Sequence, residues 1–176
     1  MIAYLSPYRT DKNIGKALND AIEAAPDGWI CLTDQDVLFL RPDTKAQIEE
    51  IAMSGKNDLY GCVTNRLGVP QQVIRAMFNS DSITEHIAAA TEMHEKHYGE
   101  CIPHTGPIAA MLMLFHKRTW EMVGGFREHT LFFDREFSMK IKRKGIMLGV
   151  YVLHLYRWGQ KMPQFYTKHL RNEKIP

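Results

Sequence analysis

The chain has 176 residues, 45% of them hydrophobic, which is enough for one well-buried core and short for two. Its formal charge of +2 comes from 22 Lys and Arg against 20 Asp and Glu, a near balance that argues against a protein built to wrap nucleic acid. Met1 leads straight into Ile2-Ala3-Tyr4-Leu5 with no basic flank, and no stretch approaches the roughly 18 uninterrupted apolar residues of a membrane span. A soluble protein, neither secreted nor membrane-spanning, is the expectation.

In chain order, Ile2 to Leu5 reads as a short buried strand. Ile14, Ala17, Leu18, Ala21, Ile22 and Ala25 then recur at helical spacing on one face. Pro26-Asp27-Gly28 marks a turn, and Trp29 to Thr33 is a second apolar run that stops at two acids. Thr44-x-x-Gln47 has capping-box spacing at the head of a helix that Ser54-Gly55 ends, and Leu59 to Thr64 reads as a third strand. Val73 to about Tyr98 predicts two helices broken near Asn79-Ser80-Asp81-Ser82, whose short polar side chains compete for backbone hydrogen bonds.

Ile108 to Phe115 is a strongly apolar strand-like run, Thr119 to Val123 a short helical turn, and Gly124-Gly125 a reversal. Asp134 to Lys144 predicts a last amphipathic helix bounded by Gly145, and Met147 to Leu155 a last strand. Alternating strands and helices make the fold class α/β, a single domain over 1–155 with a mostly parallel sheet. A basic and aromatic tail follows over 156–176. Cys31, Cys62 and Cys101 are odd in number and far apart, and two lie in apolar runs, so buried reduced thiols and a cytoplasmic location are expected.

The chemistry concentrates at Asp34-Gln35-Asp36. Side chains in extended backbone alternate with period two, so Asp34 and Asp36 can converge on one cation. Oxygen ligands of this hardness favour Mg²⁺ or Mn²⁺, ions that keep open positions for substrate phosphates. The acids sit between Trp29–Thr33 and Val37-Leu38-Phe39, embedded in apolar sequence where a carboxylate needs a partner. His94-x-x-His97-x-x-x-Cys101-x-x-His104 offers zinc-ligand types, but Glu92, Glu95 and Lys96 around the histidines read instead as an exposed helix face.

Three segments in order resemble the GT-A glycosyltransferases, particularly the family 2 group. Ile2 to Arg9 is similar to the family's opening strand and loop, which implies that Ser6, Pro7, Tyr8 and Arg9 lie beside the nucleotide. Leu32-Thr33-Asp34-Gln35-Asp36-Val37 looks like the family's metal motif; the resemblance implies that Asp36 binds the ion and Asp34 touches ribose or metal. Met111 to Phe126, then Phe132-Phe133-Asp134-Arg135-Glu136-Phe137 and Gly145, looks like the acceptor-side segment, which places the family's general base on Asp134. The family's preceding Glu is Phe133 here.

His154 matches a closing-strand histidine that adds a metal ligand in many relatives, and Arg157 and Lys161 can supply cations to the diphosphate. Only one helix separates the first strand from the acidic motif, fewer units than typical members have. The resemblance implies a nucleotide-sugar donor, by family weight a uridine diphosphate sugar, and a glycan or other hydroxyl acceptor. Two alternatives stand beside it: a haloacid-dehalogenase-like phosphatase with Asp34 as nucleophile and Asp36 as acid/base, and a non-catalytic nucleotide-sugar-binding module. The chain lacks the later Gly-Asp-x-x-x-Asp that such phosphatases carry.

Overall fold

The computed structural model describes residues 1–156. Arg157, Lys161 and the rest of the tail beyond Tyr156 lie outside the described residues. The elements run β1 (Ile2–Leu5), α1 (Ile14–Ala24), β2 (Trp29–Thr33), β3 (Val37–Phe39), α2 (Thr44–Ser54) and β4 (Leu59–Thr64). Two single 3-10 turns follow, Pro70–Gln72 and Arg75–Met77, then α3 (Ile83–His97), β5 (Cys101–Pro103), β6 (Leu112–His116), α4 (Lys117–Val123), α5 (Phe133–Met139) and β7 (Lys144–His154).

The strands form one sheet in the order β1-β2-β6-β4-β7-β3, with β5 also on β7. Strand period puts Ile30, Leu32, Met113 and Phe115 on one face, against Leu18 and Ile22 of α1 and Phe137 of α5. Cys31, Leu112 and Leu114 point to the other face, against Ile48 and Ile51 of α2. The central strands are therefore buried on both sides, which explains why they read as continuous apolar runs. Burial pushes the Cys31 thiol up to about 12, and all three cysteines are free.

The sheet is mixed, not mostly parallel. β1 with β2 and β4 with β7 are parallel, whereas β6 runs antiparallel to both β2 and β4, and β3 and β5 run antiparallel to β7. A parallel neighbour needs a crossover, usually a helix. The short β5 and the loop after it bring the chain into β6 without one, and the turn at Gln35 does the same for β3. The order of strands and helices along a sequence carries no record of such reversals.

Several elements differ in extent from the sequence expectations. The Thr44–Gln47 capping box does not form: Asp43 takes the cap position without a side-chain bond, and Gln47 is buried beneath β7 at Gly149. The 73–98 stretch is one helix, α3, whose Ser82 cap accepts from Glu85 N at 3.3 Å, preceded by 3-10 turns. The run from Ile108 joins β6 only at Leu112, because Ile108 N and Ala109 N donate to Ser138 Oγ and Gln72 Oε1 instead of a strand.

α5 starts at Phe133 and stops at Met139, and Lys144 already belongs to β7. The buried Lys144 ammonium donates to the carbonyls of Gly106 (2.7 Å) and Ser138 (3.0 Å), and burial draws its pKa down. The second of these bonds helps satisfy a carbonyl in the last turn of α5, where no further intrahelical donor follows.

Two features position the site. β7 skips register between Met147 and Tyr151, so its first half pairs with β5 and its last three residues with β3. The 126–132 loop is bound to α1: Asn19 Oδ1 accepts from Trp120 Nε1 (3.0 Å) and Phe126 N (2.9 Å), and Asn19 Nδ2 donates to Phe126 O (2.9 Å). At Gly15 a Cβ would collide with the Arg127 carbonyl, so only glycine allows this approach. No helix among the described residues is long and apolar enough to cross a membrane.

Candidate metal centre and adjoining cleft

β2 delivers Asp34 at its end, where Asp34 N donates to Met111 O at 3.2 Å. The chain then turns at Gln35 and enters β3, whose first residue Val37 pairs with His154. Leu155 N donates to Asp36 O at 2.8 Å, which fixes Asp36 beside the end of β7. The result brings together the three residues expected as ligands: one atom from each of Asp34, Asp36 and His154 lies within 4.8 Å of the others. His154 is buried and Asp36 half-buried.

The hydrogen bonds of His154 fix what it can do. Its Nδ1 lies 2.8 Å from the Arg66 carbonyl, which can only accept, so Nδ1 carries a hydrogen. Nε2 then points at Asp36 Oδ1, 3.3 Å away. In a neutral ring that contact sets a lone pair against a carboxylate oxygen, an arrangement that a second proton or a cation between them resolves.

The carboxylates add to the same demand. Asp34 is open to solvent on its cleft side yet backed by protein, and this desolvation raises its pKa above the usual carboxylate value. Asp36 and Asp134 push it the same way and His154 opposes them. Two carboxylates and one imidazole nitrogen, with two of the three facing a cleft, fit Mn²⁺ or Mg²⁺ with positions left for a substrate oxygen.

The cleft has a volume of about 450 Å³ and is lined by Asp34, Gln35 and Asp36 together with Pro7, Tyr8, Arg9 and Lys12. Leu131 contributes a further edge. Three of the four residues expected beside the nucleotide therefore border it; Ser6 is exposed at the end of β1 and is not part of the lining. Arg9 borders the cleft with its charge engaged elsewhere, on Asp11 at 2.7 Å and Asp20 at 3.2 Å. The Arg9 guanidinium pulls the Asp11 carboxyl down to about 2.

Lys12, which no motif singles out, has a left-handed φ of 60° and no ion pair among the described residues. The adjacent Asn13 caps α1 and accepts from His129 N at 3.1 Å; His129 is left-handed too, at φ 56°. Two strained backbones thus meet at one asparagine beside the cleft.

Asp134 is the second residue of α5, not its cap, which is Phe132. Its Oδ2 accepts from Ala110 N at 3.3 Å and its Oδ1 from Arg135 N at 2.7 Å. Burial raises its pKa, against the pull of those backbone donors. Ala110 holds Asp134 while the next residue, Met111, holds Asp34, so the two acids approach across one short stretch of chain. Asp134 does not itself line the cleft. A second groove of about 310 Å³ runs along the exposed face of α5, over Phe132, Arg135, Glu136 and Met139.

The zinc-like set does not assemble. His94 Nε2 lies 3.4 Å from Asp43, His97 Nδ1 lies 2.6 Å from Glu100, Cys101 Sγ accepts from Asn57 at 3.4 Å, and His104 Nε2 lies 3.0 Å from Pro107 O. The residues that sequence reasoning missed are Lys12 and the pair Asn65 and Arg66 behind His154. No motif carries the latter two; their role exists only once β4 and β7 lie side by side.

No protein-family model and no curated protein matches the chain. Among solved structures it is similar to the mannosyltransferase PcManGT from Pyrobaculum calidifontis, in complex with GDP-Man and Mn²⁺, with a TM-score of 0.51 and 20% identity. The match covers 92% of this chain and 45% of that one, so the chain spans under half the length of the protein it resembles. At that identity the likeness is one of fold, and the described residues adopt a mixed α/β, glycosyltransferase-like architecture.

Proposed function

We propose that the chain acts as a cation-dependent glycosyltransferase on a nucleoside-diphosphate sugar, with Asp34, Asp36 and His154 holding Mn²⁺ or Mg²⁺. The observation that carries this reading is the convergence of those three side chains at the edge of a cleft of nucleotide scale. A cation bound there supplies positive charge for the departing diphosphate. Lys12, which lines the same cleft, adds a second positive charge, and Arg157 and Lys161 belong to the same proposal.

Asp134 takes the proton of the acceptor hydroxyl as that oxygen bonds to the anomeric carbon and the bond to the diphosphate breaks. Burial raises its pKa, which makes its carboxylate a stronger base than that of an ordinary aspartate. The assignment implies inversion at the anomeric carbon. The similarity to a structure holding a guanosine diphosphate sugar and Mn²⁺ supports the class of donor, and the family weighting toward uridine leaves both bases to be compared.

Calorimetric titration with UDP and GDP, each with and without Mn²⁺, tests the reading in wild type, Asp36→Ala and Lys12→Ala. Binding that needs both Mn²⁺ and Asp36, and that Lys12→Ala weakens without changing its cation dependence, is expected. Absent or cation-independent binding would refute it and direct assays to phosphatase chemistry at Asp34 and Asp36. Nucleotide-sugar turnover then separates an enzyme from a binding module, since Asp134→Asn should abolish transfer while sparing donor binding.

A further inference from the structure

The parallel ladder between β4 and β7 ends at Thr64 opposite Val152. Beyond it the backbone of β4 departs, with Thr64 O taken by Ile74 N at 2.8 Å. The Asn65 side chain supplies the next rung instead: Oδ1 accepts from His154 N at 2.9 Å and Nδ2 donates to His154 O at 3.2 Å. One amide therefore replaces a peptide unit and pairs both backbone groups of the same residue.

The amide is itself oriented. Thr64 Oγ1 donates to Asn65 Oδ1 at 3.1 Å, and Asn65 is wholly buried. Next in sequence, Arg66 turns its carbonyl to His154 Nδ1. That carbonyl is anchored by the Arg66 guanidinium, which donates to Phe78 O at 2.7 Å and pairs with Asp81 at 2.8 Å. Two adjacent residues thus control His154, one through its backbone and one through its ring.

We propose that Asn65 is a positioning residue for the metal centre: by clasping the backbone of His154 it seats Nδ1–H on the Arg66 carbonyl and turns Nε2 toward the cation shared with Asp34 and Asp36. The inference rests on the cation reading given above. An imidazole whose outer nitrogen is held in this way loses little freedom on binding a metal, and loss of such a partner costs metal affinity about 10–100-fold.

The test uses the full chain labelled with ¹⁵N-histidine, free of cation, at a pH where imidazoles are neutral. Two-bond ¹H–¹⁵N correlation spectra report which ring nitrogen carries hydrogen, and the His154 signal is assigned by its loss in His154→Gln. Wild type should show hydrogen on Nδ1 and a bare Nε2. Asn65→Ala should show mixed tautomers and an Mn²⁺ affinity about 10–100-fold weaker by calorimetry.

Where Asn65→Ala does not fold, Asn65→Ser keeps a small neutral polar side chain at the buried position but is too short to bridge both His154 N and His154 O. It should give the same mixed signal. Hydrogen on Nε2 in wild type overturns the proposal, as do folded variants that keep the wild-type tautomer and the wild-type Mn²⁺ affinity. The expected tautomers in both wild type and the Asn65 variant, in a protein that does not bind Mn²⁺, uphold the clasp and refute the cation reading, so the two failures are told apart.

Discussion

Asp34 shows how a single side chain exchanges stability for a site. Its raised pKa means that the fold favours its protonated form. The resulting stability is fully present below the ordinary carboxyl value of 3.8 and is lost as pH rises through the raised value. Asp34→Asn should therefore melt at a higher temperature than wild type at pH 7 without cation. The gap should close near pH 3, and Mn²⁺ should raise the melting temperature of wild type more than that of the variant. Equal melting curves at pH 7 would mean that the carboxylate is not strained. The same residue was legible in the sequence, since its neighbours are apolar and its spacing from Asp36 is two. Lys12 was not, because what distinguishes it is a left-handed backbone and a shared cleft, neither of which spacing encodes.

At the scale of elements, the sequence carried what depends on local period and little of what depends on partners. β1, β2 and α1 appear at their expected positions, because buried strands and an amphipathic helix leave dense apolar signals. Gln47 illustrates the opposite case: its spacing from Thr44 suggested a cap, but tertiary packing buries it instead. Strand direction was lost for the same reason, since β6 owes its orientation to a loop held by side chains of Gln72 and Ser138.

The loop that edges the cleft depends similarly on one residue of α1. Asn19→Ala removes both acceptor and donor for Phe126 and leaves Trp120 Nε1 without its partner. Urea unfolding should show a loss of about 1–3 kcal/mol. An unchanged midpoint would show that water replaces the amide without cost.

At the scale of the whole molecule, the buried core of the described residues closes with β7, and all three proposed ligands precede Tyr156. A chain truncated after Tyr156 should fold and bind Mn²⁺ as the full chain does, while its affinity for a nucleoside diphosphate falls through loss of Arg157 and Lys161. Calorimetry on both lengths checks this; equal nucleotide affinities would remove the tail from the donor site.

The three-residue β3 carries a further consequence. Among the described residues its strand pairing is with the end of β7 alone, so Asp36 and His154, far apart along the chain, meet through a contact that most of the fold separates in sequence. Closing so long a loop costs entropy that a three-residue edge strand repays poorly, so this contact is expected to complete after the barrier to folding has been crossed. A bound cation should then leave the refolding rate unchanged and slow unfolding alone, so that the centre acts as a latch on a finished structure and takes no part in guiding its formation.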